Sequence, residues 1–254
     1  MRVRRRDLLT MAASGAALSL VADARSGRAA DKPSIKAVAF DAFPVFDPRP
    51  LDALAEAMFP GRGAALVALW RTRQFEYGWL RTLTNSYVDF WRCTEDALSF
   101  AAKSLRLDLD GEKRRRLMNG YLALKAWPDA APALHALKAA GLRLAFLSNF
   151  TAAMLDAAVT NSGLDGLFEA HLTTDRVRAF KPDPRAYRMG VDAFGLAREE
   201  IAFCAFAGWD AAGAKSFGYP TFWINRTGAP IEELGVVPDA IGRSLADLVA
   251  FTRG

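Results

Sequence analysis

Short apolar runs that each end in polar residues recur along the chain. They cover residues 35–40, 142–147, 201–206 and 221–225. Runs of this length without polar alternation are typical of strands that are buried on both faces of a parallel sheet. Predicted helices follow or separate the later runs, at residues 151–162, 184–194 and 210–217. This alternation predicts an α/β fold, a Rossmann-like, doubly wound parallel sheet with helices on both faces.

Between residues 48 and 126 the pattern changes to that of helices. Apolar side chains recur three or four positions apart, as on one face of an amphipathic helix; they are Leu66, Leu69, Trp70, Tyr77, Leu80 and Leu83. Two more helices are predicted at 87–105 and 111–125. Because this block interrupts the strand pattern, we predict a helical cap subdomain, 48–126, inserted into a core made of 31–47 and 127–254.

The first thirty residues differ from the rest of the chain. Three arginines, Arg4 to Arg6, precede a leucine pair and a weakly apolar run of small residues. The pattern predicts a signal peptide of the twin-arginine type at 1–30, and therefore a periplasmic protein. A disordered basic tail is the alternative. The apolar run is too short for a stable membrane anchor.

Composition and charge narrow the function classes. At 52% hydrophobic and 24% charged residues, the 254-residue chain has an ordinary globular composition. The net charge of +5 falls to +1 without residues 1–30, which contain six arginines and two aspartates. We find no basic stripe interleaved with aromatic residues, so nucleic acid is not an expected partner.

The cysteines and histidines do not suggest a metal site. His135 and His171 have no Cys, Asp or Glu partner at the spacing of metal ligands. Cys204 lies in an apolar run and Cys93 in a helical region of the insert, and a buried free thiol commonly acts as a small hydrophobic side chain. A disulfide between them is the alternative in an exported protein.

Four polar motifs mark the ends of predicted strands or the starts of helices. They are Phe40-Asp41-Ala42-Phe43, Leu147-Ser148-Asn149, Lys181-Pro182-Asp183 with Tyr187, and Gly208-Trp209-Asp210. Each motif alone has an ordinary structural explanation, such as a turn, a helix cap or a solvated lysine. Together they should meet in the crevice at the carboxyl ends of the strands. The combination indicates a carboxylate nucleophile beside an ammonium group.

With these motifs the chain resembles the haloacid dehalogenase superfamily, and within it the L-2-haloacid dehalogenases of type II. The resemblance covers roughly residues 34–252 and includes the distinctive stretches 69–81 and 222–228. It implies hydrolysis of short L-2-haloacids to 2-hydroxyacids without a metal or another cofactor. The partners would be the small-molecule substrate and the halide, and a homodimer through the cap helices is compatible with the resemblance.

The resemblance also implies catalytic roles. Asp41 would displace the halide with inversion and form an ester, which water would then hydrolyse. Lys181 and Tyr187 would orient the nucleophile, and Asp210 would help to activate the water.

Further residues are implied to bind the substrate. Arg71, Asn149 and the ring of Trp209 would hold the departing halide. The substrate carboxylate would be held by Ser148 and by the backbone after the nucleophile, at Ala42 and Phe43. The apolar wall of the pocket would include Phe90 and Tyr77.

Four positions depart from the family pattern. Pro44-Val45 stands where the family usually has Gly-Thr, and Ala205 and Ala207 replace a serine and an asparagine. The changes at Val45, Ala205 and Ala207 each remove a polar partner, which motivates an alternative function, a catalytically weakened relative that binds a small carboxylate. A hydrolase for another substrate, such as a phosphatase, is the third hypothesis. Phe43 argues against a phosphatase, because the superfamily's phosphatases carry a second aspartate there.

Overall fold

The computed structural model describes residues 34–254, and the predicted signal peptide lies outside these residues. The described residues all belong to one compact unit. The division of this unit into core and cap therefore stays a prediction. Within the described part of the chain, no helix is long and apolar enough to cross a membrane.

A six-stranded sheet forms the centre of the fold. Its strands are β1 (Ala37–Phe40), β4 (Arg143–Ser148), β5 (His171–Thr173), β6 (Ile201–Ala205), β7 (Thr221–Ile224) and β8 (Ala240–Gly242). They are all parallel and lie in the order β5-β4-β1-β6-β7-β8. The central strand is β1, and its last residue, Phe40, lies level with Phe146 and Cys204. The carboxyl ends of β1, β4 and β6 therefore meet, and the predicted α/β fold class is confirmed.

Alternate strand residues point to two separate cores, as the two-residue period of a strand requires. Phe40, Phe146 and Cys204 belong to the larger core, and Ala39, Leu147 and Phe203 belong to the other. All of these side chains are fully buried. The apolar runs in the sequence are thus explained by burial on both faces of the sheet.

Nine helices of the described residues cover the sheet or form the insert. The insert holds α1 (Arg49–Met58), α2 (Gly63–Leu83), α3 (Phe90–Ser104) and α4 (Gly111–Leu122). The others are α5 (Ala130–Ala139), α6 (Ala152–Asn161), α7 (Pro184–Phe194), α8 (Gly208–Phe217) and α9 (Leu245–Phe251). Residues of α5, α6 and α9 join the larger core, whereas residues of α7 and α8 join the other. The helices therefore lie on both faces of the sheet.

A short antiparallel pair joins the two ends of the insert. It consists of β2 (Phe46–Asp47) and β3 (Lys125–Ala126), and the Trp127 amide also donates to the Val45 carbonyl. The sequence pattern did not indicate this pair, because two-residue strands have no readable alternation. For the same reason the pattern missed the short strands β5 and β8.

Side-chain caps set several helix boundaries. The side chains of Asp89 and Thr151 accept the amides of Arg92 and Met154, so α3 and α6 begin one residue later. The predicted boundaries of α6 are therefore correct to one residue, whereas α3 begins three residues after the predicted start. Cys93 and Cys204 are both buried and free, so no disulfide links them.

Candidate active site

Asp41 directly follows the central strand, where its carboxylate is 13% exposed. Its backbone amide donates to the carbonyl of Cys204 on β6, which extends the sheet ladder by one residue. Its Oδ1 atom accepts hydrogen bonds from Lys181 Nζ at 2.9 Å and Ser148 Oγ at 3.3 Å. Its Oδ2 atom accepts the Phe43 amide at 3.3 Å. Oδ1 is therefore held by polar side chains, whereas Oδ2 is the freer oxygen.

Lys181 joins the two acidic residues of the site. Its ammonium lies 2.9 Å from Asp41 Oδ1 and 2.6 Å from Asp210 Oδ2, and its side chain is 1% exposed. Burial alone would lower the pKa of Lys181, but the carboxylates of Asp210 and Asp41 outweigh it and raise that pKa. The ammonium also lies 5.1 Å from the centre of the Phe203 ring, a favourable cation–π arrangement. Lys181 is therefore charged throughout the ordinary pH range.

Asp210 is the buried acid of the site and sits in the first turn of α8. Burial raises its pKa to about 6, helped by the charge of Asp41 and opposed by Lys181 and by a hydrogen bond from Tyr187. The Tyr187 hydroxyl donates to Asp210 Oδ1 at 2.7 Å. Burial and the Asp210 carboxylate raise the Tyr187 pKa well above its ordinary value, so Tyr187 is a hydrogen-bond donor here.

Ser148 and Asn149 follow β4 beside the nucleophile. Ser148 donates to Asp41 and its Oγ also accepts the amide of Phe150 at 3.2 Å. The side-chain oxygen of Asn149 accepts the amide of Lys181 at 3.1 Å. This bond orients the Asn149 side chain and leaves its NH₂ group, rather than its oxygen, to donate to an anion.

These groups surround a small cavity of about 20 Å³, which we call the reaction cavity. Its lining residues are Asp41, Phe43, Phe75, Phe90, Ser148, Asn149, Phe150, Ala207, Trp209 and Asp210. The volume suits about one water molecule, so a carboxylic acid substrate requires the cavity to enlarge. A cavity of about 670 Å³ also contains Tyr187 and Trp209 but not Asp41, so it is not where the nucleophile acts.

Most predicted site residues meet at this cavity. The cavity is lined by Asp41, Phe43, Phe90, Ser148, Asn149, Trp209 and Asp210. Lys181 contacts both of its carboxylates, whereas Tyr187 contacts Asp210 and not Asp41, the nucleophile that it was predicted to orient. Ala42 is fully buried behind the nucleophile, where its carbonyl accepts the amides of Val45 and Phe46.

Arg71 lies apart from this group. It lines a second cavity of about 290 Å³, which also contains Arg49, Arg226, Asp52 and Trp127 and which we call the arginine cavity. The Arg71 guanidinium forms an ion pair with Asp52 at 2.8 Å. Its predicted place beside Asn149 and Trp209 is therefore not the one seen here, because a local carboxylate holds it.

Tyr77 does not belong to the wall of the reaction cavity, contrary to the prediction. It packs edge-to-face against Phe100, with ring centres 6.1 Å apart. The wall residue of α2 is Phe75, and a two-residue step rotates a helix by more than half a turn. The rings of Phe75 and Trp79 both pack edge-to-face against the Trp209 ring. Their centres lie 5.1 and 5.5 Å from its centre.

The sequence motifs missed three aromatic residues of the site, Phe75, Trp79 and Phe150. Phe75 and Trp79 are four residues apart and so share one face of α2, a signal present in the stretch 69–81. Trp79 Nε1 donates to the Lys181 carbonyl at 3.1 Å, so helix α2 of the insert is bonded to the segment that carries Lys181. Phe150 follows Asn149 directly, and its ring packs against Phe90.

Of the three changes that remove a polar partner, two lie in the apolar cores and one lies at the reaction cavity. Val45 is fully buried in the larger core, and Ala205 is fully buried in the other. Ala207 lines the reaction cavity beside Trp209. Lys181 keeps both carboxylates as partners despite these changes.

The acidic residues of the site are arranged around an ammonium rather than a metal position. Lys181 Nζ stands between Asp41 and Asp210 and bonds to one oxygen of each. Among residues 34–254, no group of three or more His, Cys, Asp or Glu side chains could hold a metal ion. The position between the two carboxylates is therefore taken by the Lys181 ammonium.

A family model described as a haloacid dehalogenase-like hydrolase matches residues 16–218. Among curated proteins, an (S)-2-haloacid dehalogenase from Pseudomonas sp. (strain YL) is 45% identical over 206 residues, 81% of this chain and 89% of that protein. The chain belongs to the haloacid dehalogenase-like hydrolases. The motif at Asp41 and the bridging Lys181 are thus features of a member of that family.

Solved structures agree with this assignment. The crystal structure of an L-2-haloacid dehalogenase matches with a TM-score of 0.85 and 43% identity, over 87% of this chain and 100% of the other. A second one, from Xanthobacter autotrophicus, has chloropropionic acid covalently bound and matches with a TM-score of 0.79 and 34% identity, over 87% and 99% of the chains. A covalent adduct in such a relative fits an ester intermediate.

Proposed function

We propose that this protein hydrolyses the carbon–halogen bond of short L-2-haloacids to 2-hydroxyacids, with an ester of Asp41 as the intermediate and without a metal. The observation that carries this proposal is the Asp41 carboxylate at the end of the central strand, held by Lys181 at 2.9 Å. The ammonium of Lys181 carries the opposite charge to this carboxylate, and its bond to Oδ1 fixes the orientation of the nucleophile.

The geometry distinguishes the two oxygens of the nucleophile. Within the described residues, Oδ2 accepts only the Phe43 amide, whereas Oδ1 accepts both Lys181 and Ser148. Oδ2 therefore attacks the substrate carbon, the carbon–halogen bond breaks, and the bonding electrons leave with the halide. The attack comes from the side opposite the halogen, so the configuration at that carbon inverts.

The second step restores Asp41. Water adds to the carboxyl carbon of the ester and transfers a proton to Asp210, and negative charge develops on Oδ1. Lys181 already points at Oδ1, so this charge is stabilised without rearrangement. The bond between the carboxyl carbon and Oδ2 then breaks, and Oδ2 takes the proton from Asp210 and leaves as the hydroxyl of the 2-hydroxyacid. The Asp41 carboxyl group keeps the oxygen of the water and releases the remaining proton to solvent.

The halide and the substrate carboxylate need positive partners. Asn149 presents its NH₂ group, and the ring edge of Trp209 carries partial positive charge. Arg71 would complete the halide site after leaving Asp52. Ser148 and the backbone at Ala42 and Phe43 would hold the substrate carboxylate, and Phe90 belongs to the apolar wall.

Halide release tests this proposal. The purified protein is incubated with L- or D-2-chloropropionate or with chloroacetate in the presence of EDTA, and chloride is measured. Chloride release from the L isomer, with D-lactate as the product, is expected. Its absence in a protein that melts cooperatively would contradict the proposal. The comparisons do not favour the two alternatives, a weakened carboxylate-binding relative and a hydrolase for another substrate.

We also propose export to the periplasm through the twin-arginine route. The support is the sequence pattern of Arg4 to Arg6, a leucine pair and an apolar run of small residues. Fractionation of cells that express the full chain or a chain without residues 1–30 tests this. The full chain should yield periplasmic protein, and the shortened one should not.

A further inference from the structure

Lys181 lies in a turn, outside the helices and strands of the fold. Its backbone therefore has no helix or sheet ladder to hold it, although its ammonium bonds to both Asp41 and Asp210. Two side chains bind this backbone instead. Asn149 Oδ1 accepts the Lys181 amide at 3.1 Å, and Trp79 Nε1 donates to the Lys181 carbonyl at 3.1 Å. The lysine backbone is thus held from two sides.

The two bonds come from different parts of the chain. Asn149 directly follows the sheet strand β4, whereas Trp79 belongs to α2, a helix of the insert. The nucleophile Asp41 also follows a strand of the sheet. Trp79 is therefore a direct contribution of the insert to the position of a lysine whose charge partners lie on the sheet side.

Helix α2 also binds the residue before the lysine. Thr82 Oγ1 accepts the Phe180 amide at 3.0 Å. Gly78 packs against the Phe180 ring so closely that a Cβ on the glycine would stand 3.2 Å from two ring atoms. A glycine inside a helix is otherwise unfavourable, and this close approach accounts for it. Residues 78, 79 and 82 share one face of α2, and this face binds two consecutive residues, Phe180 and Lys181.

The indole of Trp79 is oriented by other rings. Its centre lies 5.5 Å from that of Trp209, edge-to-face, and 6.4 Å from that of Phe75, stacked. Such contacts favour particular ring orientations. The indole N–H is therefore directed at the Lys181 carbonyl before substrate binds.

The burial of Lys181 transmits a backbone shift to the ammonium. Its side chain is 1% exposed and its ammonium lies over the Phe203 ring. A buried side chain sits in close-packed surroundings and has few other rotamers to adopt. A displaced backbone at Lys181 therefore displaces the ammonium from Asp41 and Asp210.

We propose that Trp79 is a positioning residue for the reaction, which acts through the Lys181 backbone to keep the ammonium between Asp41 and Asp210. Its consequence for catalysis rests on the proposed dehalogenase function. Its effect on the charge arrangement is present without substrate, so it can be measured separately.

Trp79→Phe removes the indole N–H and keeps an aromatic ring against Trp209. We expect kcat for L-2-chloropropionate to fall by about tenfold or more, since small misplacements of a catalytic group are costly, with KM nearly unchanged. The matched control is Trp70→Phe, which removes an indole bond to the Thr94 carbonyl from the same helix, away from the reaction cavity. Equal losses of kcat in the two variants, or a rise in KM alone, would overturn the inference.

A sulfur analogue of tryptophan isolates the hydrogen bond. 3-Benzothienylalanine at position 79 replaces the indole N–H by sulfur and keeps the shape of the ring system. It should lower kcat as Trp79→Phe does. A kcat equal to that of the unchanged protein would overturn the inference, even where Trp79→Phe fails to fold.

The ionisation of Asp210 reports the position of the ammonium without any turnover. The titratable groups that face its carboxylate are Lys181, Asp41 and Tyr187, and burial raises its pKa to about 6 against the charge of Lys181. A displaced ammonium opposes burial less. Carbon-13 NMR titration of the aspartate carboxyl groups should therefore give a higher Asp210 pKa in Trp79→Phe, by about half a pH unit or more, a part of the full effect of a close opposite charge.

Trp70→Phe should leave the Asp210 pKa unchanged. An Asp210 pKa in Trp79→Phe equal to that of the unchanged protein would overturn the inference. The two proposals also fail in different ways. Halide release with equal kcat and equal Asp210 pKa in both proteins overturns this inference and leaves the proposed function standing. A raised Asp210 pKa in Trp79→Phe, with no halide release by the unchanged protein, overturns the proposed function and the catalytic part of this inference with it.

Discussion

Lys181 and Asp210 form a buried ion pair, with 2.6 Å between Nζ and Oδ2 and exposures of 1% and 2%. The same ammonium binds Asp41, so one positive charge serves two carboxylates. Taking such charges out of water is costly unless each is paired. The pair is therefore a structural requirement of the site as well as a chemical one.

Replacing Lys181 should damage both stability and activity. Lys181→Met roughly keeps the length of the side chain but leaves the carboxylates of Asp41 and Asp210 without a counter-charge. We therefore expect a loss of about 3–5 kcal/mol in the free energy of unfolding and no measurable halide release. Urea denaturation and a chloride assay measure these. Lys215→Met removes the exposed pair with Asp239 and should cost no more than about 1 kcal/mol. Similar losses in the two variants would contradict the assigned role.

The pH dependence of ester hydrolysis should report Asp210. Its pKa of about 6 lies above the ordinary value of 3.8, so the carboxylate is present above that pH and lost below it. A base that must be ionised makes the rate fall about tenfold per unit below its pKa. This fall is the acid limb of the pH–rate profile. Because the charge of Asp41 raises the Asp210 pKa, esterification of Asp41 should move the acid limb to lower pH. Rapid quench of the preformed ester across pH 4–8 checks this; a limb at the same pH as in free-enzyme profiles would contradict it.

Tyr187→Phe should move the acid limb of the pH–rate profile to higher pH. The hydroxyl bond to Asp210 lowers the Asp210 pKa, so its removal should raise the pKa, by about one unit for a bond worth about 1.4 kcal/mol. The matched control is Tyr219→Phe, which removes a buried hydroxyl that donates to the Tyr187 carbonyl and does not contact Asp210. Halide release against pH distinguishes them, and an equal shift in both variants would count against a direct bond.

Gly213→Ala should impair the site through packing. A Cβ at this position would lie 2.5 Å from Tyr187 Oη and 2.7 Å from Pro182 Cβ, and the Tyr187 hydroxyl cannot move without leaving Asp210. We expect a drop of at least about tenfold in kcat. Gly111→Ala is the control, since its Cβ would meet nothing closer than 3.8 Å and should stabilise its helix by up to about 1 kcal/mol. Unchanged kcat in Gly213→Ala would show that the Tyr187 position is not critical.

The sequence predicts the core of the site better than its cap side. Asp41 and Ser148 each stand at the end of a strand, so the parallel sheet brings them together once the strands are recognised. The partners of Arg71 cannot be read in this way. Asp52 lies nineteen residues before Arg71 on another helix, and which carboxylate a long side chain reaches depends on tertiary packing. Phe203 beneath the Lys181 ammonium is likewise set by a strand that the motif does not include.

The origin of the product oxygen tests the ester of Asp41 most directly. The protein, in excess over L-2-chloropropionate, completes a single turnover in water enriched in heavy oxygen, and lactate and the peptide containing Asp41 are analysed by mass spectrometry. Because water attacks the carboxyl carbon of the ester, the lactate should be unlabelled and Asp41 should acquire the heavy oxygen. Label in the lactate, with none in Asp41, would mean that water displaces the halide directly and would contradict the covalent mechanism.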